Sequence, residues 1–235
     1  MRPVVGRARV RDRIPGLPTT TTSAAESLWL ATAPASAHPQ LDRELHVDVA
    51  VIGGGIAGIT TALLLKRSGA RVAVLEAHTV GAGTTGCTTA KVSALQATLL
   101  STIRGRNGDD AAATYAEASL AAVDKVAELA AAEGVECDLE RRPAYTYAAD
   151  ESELGSVEGE LEAARRAGLA VERVDGPDLP FPTAGAVRLE DQLQFQPVAY
   201  VRGLAARVDG DGSSVFEHTQ ALGVEGGTPS RSRGT

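Results

Sequence analysis

The run Val49-Ala50-Val51-Ile52-Gly53-Gly54-Gly55-Ile56-Ala57-Gly58 constrains this chain more than any other stretch. Val49 to Ile52 is wholly apolar and reads as a buried strand, and Ile59 to Lys66 reads as the helix behind it. Gly53, Gly55 and Gly58 stand at the junction in the spacing Gly-x-Gly-x-x-Gly. Gly53 makes a tight turn, Gly55 allows close backbone approach to a pyrophosphate, and Gly58 allows close packing of helix on strand. The helix N-terminus that follows points unpaired N–H groups and a partial positive charge at the phosphates.

The downstream residues complete the unit. Gly69 stops the helix, and Arg71 to Leu75 reads as a second strand. Glu76 closes that strand, 21 residues after Gly55, where an acidic side chain accepts hydrogen bonds from ribose hydroxyls. Strand, glycine turn, helix, strand and terminal acid make one βαβ unit. The plainer alternative is a glycine-rich turn in another kind of α/β protein. Glu76 also argues against a cofactor bearing a 2′-phosphate.

Bulk properties narrow the partners. The net charge of −7 argues against a general nucleic-acid binder. It is uneven, because residues 1–13 carry five Arg and one Asp. Two cysteines, Cys87 and Cys137, are too few for a disulfide framework, and neither they nor the four histidines have metal-ligand spacing. The uncharged run Val49 to Leu65 contains three consecutive glycines, so the βαβ unit explains it better than a membrane span. The chain reads as soluble and cytoplasmic, with no metal and no membrane span.

After Glu76 comes a loop of small residues and hydroxyls, Gly81-Ala82-Gly83-Thr84-Thr85-Gly86-Cys87-Thr88-Thr89-Ala90-Lys91. Such a loop can lie along a flat, phosphate-bearing ligand. The other reading is a surface loop with no ligand. Together, Val49 to Gly58, Leu75-Glu76-Ala77 and this loop resemble the FAD-binding start of the D-amino-acid oxidase family. The Gly-Thr-Thr-Gly-x-Thr-Thr-Ala-Lys run is similar to a bacterial branch often fused to a C-terminal Rieske iron–sulfur domain. That branch usually has His where this chain has Cys87, and the family often has His, Asn or Asp where it has Gln196.

The resemblance implies an FAD cofactor and a small amine or amino-acid substrate. The substrate C–H would give a hydride equivalent to the flavin, leaving an imine that hydrolyses. Gly53, Gly55, Ile56, Ala57 and Gly58 would hold the pyrophosphate, and Glu76 and Ala77 the ribose side. Gly83, Thr84, Thr85, Thr89 and Lys91 would run along the pyrophosphate and flavin edge. No catalytic base or electron acceptor follows from the residues. Tyr145 and Tyr147 could face the substrate or simply pack.

The expected fold is α/β, a Rossmann-like FAD-binding domain with an inserted α+β substrate domain, both incomplete. Residues 1–44 read as a mostly disordered arm from which Trp29 docks on the folded body. Residues 45–105 begin the FAD domain, 106–195 belong to the substrate domain, 196–225 return to the FAD domain, and 226–235 form a disordered tail. Asp109 to Glu133 reads as a helix with Asp109 as N-cap and Gly134 as stop. Strands are expected at 135–140, 144–148, 171–174 and, as one or two, 185–195. Glu151 to Ala167 and Pro197 to Val208 read as further helices, the latter with proline at its first position. The family's pattern needs more chain than this, so the sequence reads as an incomplete member. Two alternatives stay open: a truncated, non-catalytic nucleotide-binding fragment, and a nicotinamide-binding Rossmann protein.

Overall fold

The computed structural model describes residues 6–11, 27–177 and 179–226. The readings placed on residues 1–5, 12–26, 178 and 227–235 lie outside the described residues. In chain order the elements begin with β1 (Gly6–Arg11), α1 (Leu28–Thr32), β2 (Val49–Ile52), α2 (Ile56–Arg67) and β3 (Val72–Leu75). A 3-10 turn at Thr84–Cys87 precedes β4 (Lys91–Val92), α3 (Leu99–Asn107), α4 (Asp109–Glu133) and β5 (Glu140–Ala148). A second 3-10 turn, Glu151–Glu153, leads into α5 (Leu154–Arg166), β6 (Glu172–Val174) and β7 (Gly185–Gln194). The last elements are α6 (Pro197–Val208), β8 (Ser214–Phe216) and β9 (Gln220–Gly226). The chain divides into two compact units, one within Met1–Thr88, Val135–Cys137 and Gln196–Thr235, the other within Thr89–Gly134 and Asp138–Phe195.

In the first unit β2, β3 and β8 form a parallel sheet in that order, Val49 opposite Val72 and Ala73 opposite Ser214. Parallel neighbours need a crossover, and α2 supplies it between β2 and β3. All four residues of β3 are buried, as a central parallel strand requires. β2 departs from the buried strand expected: Val49 and Val51 are half-buried, while Ala50 and Ile52 are exposed. It lies at the edge of this sheet, with one face uncovered among the described residues. Ile59, Ala62 and Leu63 of α2 are buried, and α2 packs on β3 and α6. Gly69, at φ +91°, ends α2 where the sequence places the stop. Lys66 then reaches across to the carbonyls of Arg207 and Asp209, at 3.1 and 2.8 Å, and satisfies the end of α6.

Within the residues grouped as a mostly disordered arm, the described parts are held by specific contacts. β1 pairs antiparallel with β9, and Trp29 donates its indole N–H to Thr88 O at 2.8 Å. The buried Glu217 carboxylate accepts from Ser36 Oγ, His38 N and Val80 N. These bonds explain why the segment follows a fixed path without any hydrophobic period.

The second unit is an antiparallel sheet backed by helices. β7 is a single ten-residue strand that pairs with β5, β6 and β4. Behind it, Leu100, Ala112, Ala116, Val157, Ala163 and Leu189 are part of one buried cluster. α4 spans the expected residues, and Gly134 ends it in the left-handed conformation at φ 61° and ψ 40°. Its N-cap is Gly108 at φ +89°, not Asp109, whose carboxylate instead accepts from Arg104 Nε at 2.8 Å. The strand expected at 135–140 is also corrected: Asp138 turns at φ +48°, and β5 starts only at Glu140. Sequence reasoning left α3 unread, because Gly105 weakens it and its N-terminus is capped from afar. Glu160, fully buried on α5, accepts from Leu100 N at 3.0 Å and Ser101 N at 2.8 Å.

Candidate functional site

The glycine turn of the first unit leaves little freedom in its backbone. Gly53 sits at φ +105°, where a side chain would strain the chain, and its N–H donates to Leu75 O at 2.9 Å. A Cβ on Gly58 would lie 2.0 Å from Gly53 O, so only glycine lets α2 start so close to the turn. Gly55 differs, since a Cβ there would meet only Thr85 Oγ1 at 3.4 Å. The protein itself sets little demand for glycine at 55; an approaching ligand would.

Glu76 is fixed at the end of β3 by backbone donors on both carboxylate oxygens. Gly54 N donates to Oε2 at 2.6 Å and His78 N to Oε1 at 2.8 Å. Gly54 is the glycine that the Gly-x-Gly-x-x-Gly spacing does not require, and a Cβ there would press on the Glu76 side chain at 3.0 Å. The hydroxyl loop folds back onto the same turn: Gly81 N donates to Gly54 O at 3.1 Å, and the buried Thr85 accepts from Ile56 N at 3.1 Å. Gly83 is the N-cap residue before the 3-10 turn, Thr84 is exposed within it, and Ala77 is half-buried beside Glu76. Cys87 is exposed and Cys137 buried.

Ile56 N is thus occupied, while the N–H groups of Gly55, Ala57 and Gly58 have no acceptor among the described residues. Three free donors converge at the start of a twelve-residue helix beside a carboxylate already oriented by the backbone. Free donors with a positive helix end suit a pyrophosphate, and an oriented carboxylate suits a ribose diol. The residues present fit an adenine dinucleotide.

Gln196, absent from the candidate set, is fully used inside the first unit. Its Oε1 caps α6 through Val198 N and Ala199 N, at 2.8 and 3.0 Å. Its Nε2 donates to Trp29 O and Thr32 Oγ1, at 2.8 and 3.0 Å. Nearby, Asp209 accepts a hydrogen bond from His38 Nδ1 at 2.9 Å. That bond holds the imidazole above its ordinary pKa, against the opposing effect of burial.

Thr89 and Lys91 belong to the second unit and line a cavity of about 770 Å³. This is a size typical of small-molecule sites. Tyr145 and Tyr147 line it from β5, and Tyr147 also packs on Phe181 with ring centroids 5.1 Å apart. Pro143, Leu95 and Leu179 add apolar wall, and Ser119 enters from α4. Among the described residues no group of His, Cys, Asp and Glu could hold a metal, and no helix is long and apolar enough to cross a membrane.

Comparison with known proteins agrees with this geometry. A protein of Bacillus subtilis (strain 168) named for a Rieske 2Fe-2S iron–sulfur centre, YhfW, is 34% identical over 206 residues. That match takes in 87% of this chain and only 40% of the relative. Among solved structures, L-amino acid deaminase of Proteus vulgaris aligns at a TM-score of 0.59 and 17% identity, covering 79% of this chain and 42% of that one. Glycine oxidase of Geobacillus kaustophilus aligns at 0.57 and 21% identity, covering 75% and 48%. These likenesses show the Rossmann-like fold of FAD-dependent oxidoreductases, and the chain spans less than half the length of each relative. Residues 48–235 match the family described as FAD dependent oxidoreductase, which decides for FAD over a nicotinamide cofactor, and the chain belongs to that family.

Proposed function

We propose that this chain forms part of an FAD-dependent oxidoreductase that oxidises a C–N bond of a small amine or amino acid. The observation that carries the reading is the donor set of Gly55, Ala57 and Gly58 beside the doubly held Glu76. In this reading those N–H groups neutralise pyrophosphate charge, and Glu76 accepts from the adenosine ribose. Thr85 fixes the first helical residue through Ile56 N and keeps the donors pointed outward. When bound, FAD supplies the two-electron acceptor for the reaction. The second unit's cavity takes the substrate, with Tyr145 and Tyr147 as walls that exclude water from its apolar part.

The test is anaerobic: load the purified chain with FAD, then add glycine, larger amino acids and simple amines in turn. Bleaching of the yellow absorbance by at least one C–N substrate is the expected result. Bound FAD that none of these reduces would favour the non-catalytic reading.

A further inference from the structure

Among the described residues, Lys91 is the one formally charged side chain lining the second unit's cavity, and no carboxylate lines it. This is unusual in a chain with 30 acidic and 23 basic residues. Lys91 forms no ion pair or hydrogen bond with its side chain among the described residues. The other polar groups of the wall fall into two classes. Ser93 donates to Leu95 O, Gln96 donates to Ser93 O, and Thr146 donates to Ala97 O, so these are spent on the fold. The hydroxyls of Thr89, Ser119, Tyr145 and Tyr147, like the Lys91 ammonium, have no such partner among the described residues. The uncommitted groups are therefore one cation and four hydroxyls, set beside a wall of Leu95, Pro143 and Leu179.

We propose that Lys91 is the anion anchor of this cavity, and that the molecule taken up there carries a carboxylate on an apolar body. This rests on reading the cavity as the substrate pocket of the oxidoreductase. It selects amino acids and related acids over amines that lack an acid group. A carboxylate gives the ammonium its counter-charge and accepts from the hydroxyls, while the body covers the apolar wall. An amide of the same shape keeps the apolar contact and loses the charge-assisted bond. Sequence reasoning gives Lys91 to the cofactor; its place in the cavity supports the other role.

The experiment compares 3-phenylpropionate with 3-phenylpropanamide by ligand-observed NMR on the full chain, wild type, Lys91→Met and Lys91→Arg. The expected result is acid binding at least about tenfold tighter than amide, a preference lost in Lys91→Met and kept in Lys91→Arg. Equal binding of acid and amide by the wild type, or an unchanged preference in Lys91→Met, would overturn the proposal. FAD titration of the same wild-type sample is read separately. Acid selectivity without FAD binding ends the flavoenzyme reading and leaves the anchor; FAD binding without acid selectivity does the reverse.

Discussion

At the scale of single residues, the glycines separate into those the protein needs and those a ligand needs. Gly58 has no room for a methyl group, because the Gly53 carbonyl occupies its place. Gly58→Ala should lower stability by about 1–3 kcal/mol or shift the turn. Gly105, on α3 with open space around it, should gain about 0.5–1 kcal/mol on change to Ala. Urea unfolding of the two variants checks both signs; equal effects would contradict the assignment. The roles of Gly53 and Gly58 were legible in the sequence, since turn and packing are local matters. Gly54, Gln196 and Glu217 were not. Each is defined by a partner far along the chain: Gln196 by Trp29, Glu217 by Val80, Gly54 by Glu76.

At the scale of elements, periodicity and stop signals carried the reading where a helix or strand stands on its own pattern. α4 ends at Gly134 and α6 opens at Pro197 as the sequence indicates. α3 escaped because a buried carboxylate on another helix supplies its cap. Glu160→Ala should leave Leu100 N and Ser101 N unpaired, costing about 1–3 kcal/mol. Glu160→Gln keeps one acceptor and should cost less. Hydrogen exchange at Leu100 and Ser101 is the readout, and unchanged protection in Glu160→Ala would refute the capping role. β2 shows the opposite limit. Its composition is that of a buried strand, yet burial depends on neighbours that a local pattern does not reveal.

The first unit also carries a pH dependence. The folded chain holds the His38 proton more tightly than the unfolded one, so this contribution is complete below the ordinary histidine pKa of about 6.5. It fades as pH rises through the higher folded value. Asp209 behaves in the opposite sense. Burial alone would raise its pKa, but the His38 hydrogen bond, Val215 N–H and nearby cations bring it below the ordinary carboxylate value. Its contribution is present above that ordinary value, about 3.9, and is lost as pH falls through the lowered one. Between about pH 6 and pH 8 the urea midpoint of the wild type should fall more than that of His38→Gln. Parallel curves would show that the pair contributes nothing.

At the scale of the whole molecule, the chain joins two units with different chemistry. One presents backbone donors and an oriented acid for a dinucleotide; the other holds a largely apolar cavity with Lys91 as the cation on its described wall. The βαβ unit and the FAD family were readable from the Gly53 to Lys91 run, because the residues that carry the resemblance lie close together in sequence. The cavity was not, since Lys91, Ser119 and Tyr145 come together only through the sheet and helix of the second unit. The most direct measurement is titration of the purified chain with FAD, FMN and NADH, followed by flavin or dihydronicotinamide fluorescence. Saturable FAD binding is expected, with FMN weaker for want of the adenosine that Glu76 is proposed to receive. Folded Glu76→Ala should weaken FAD by about tenfold, the equivalent of one strong hydrogen bond. Failure to bind FAD, or an equal preference for NADH, would contradict the account.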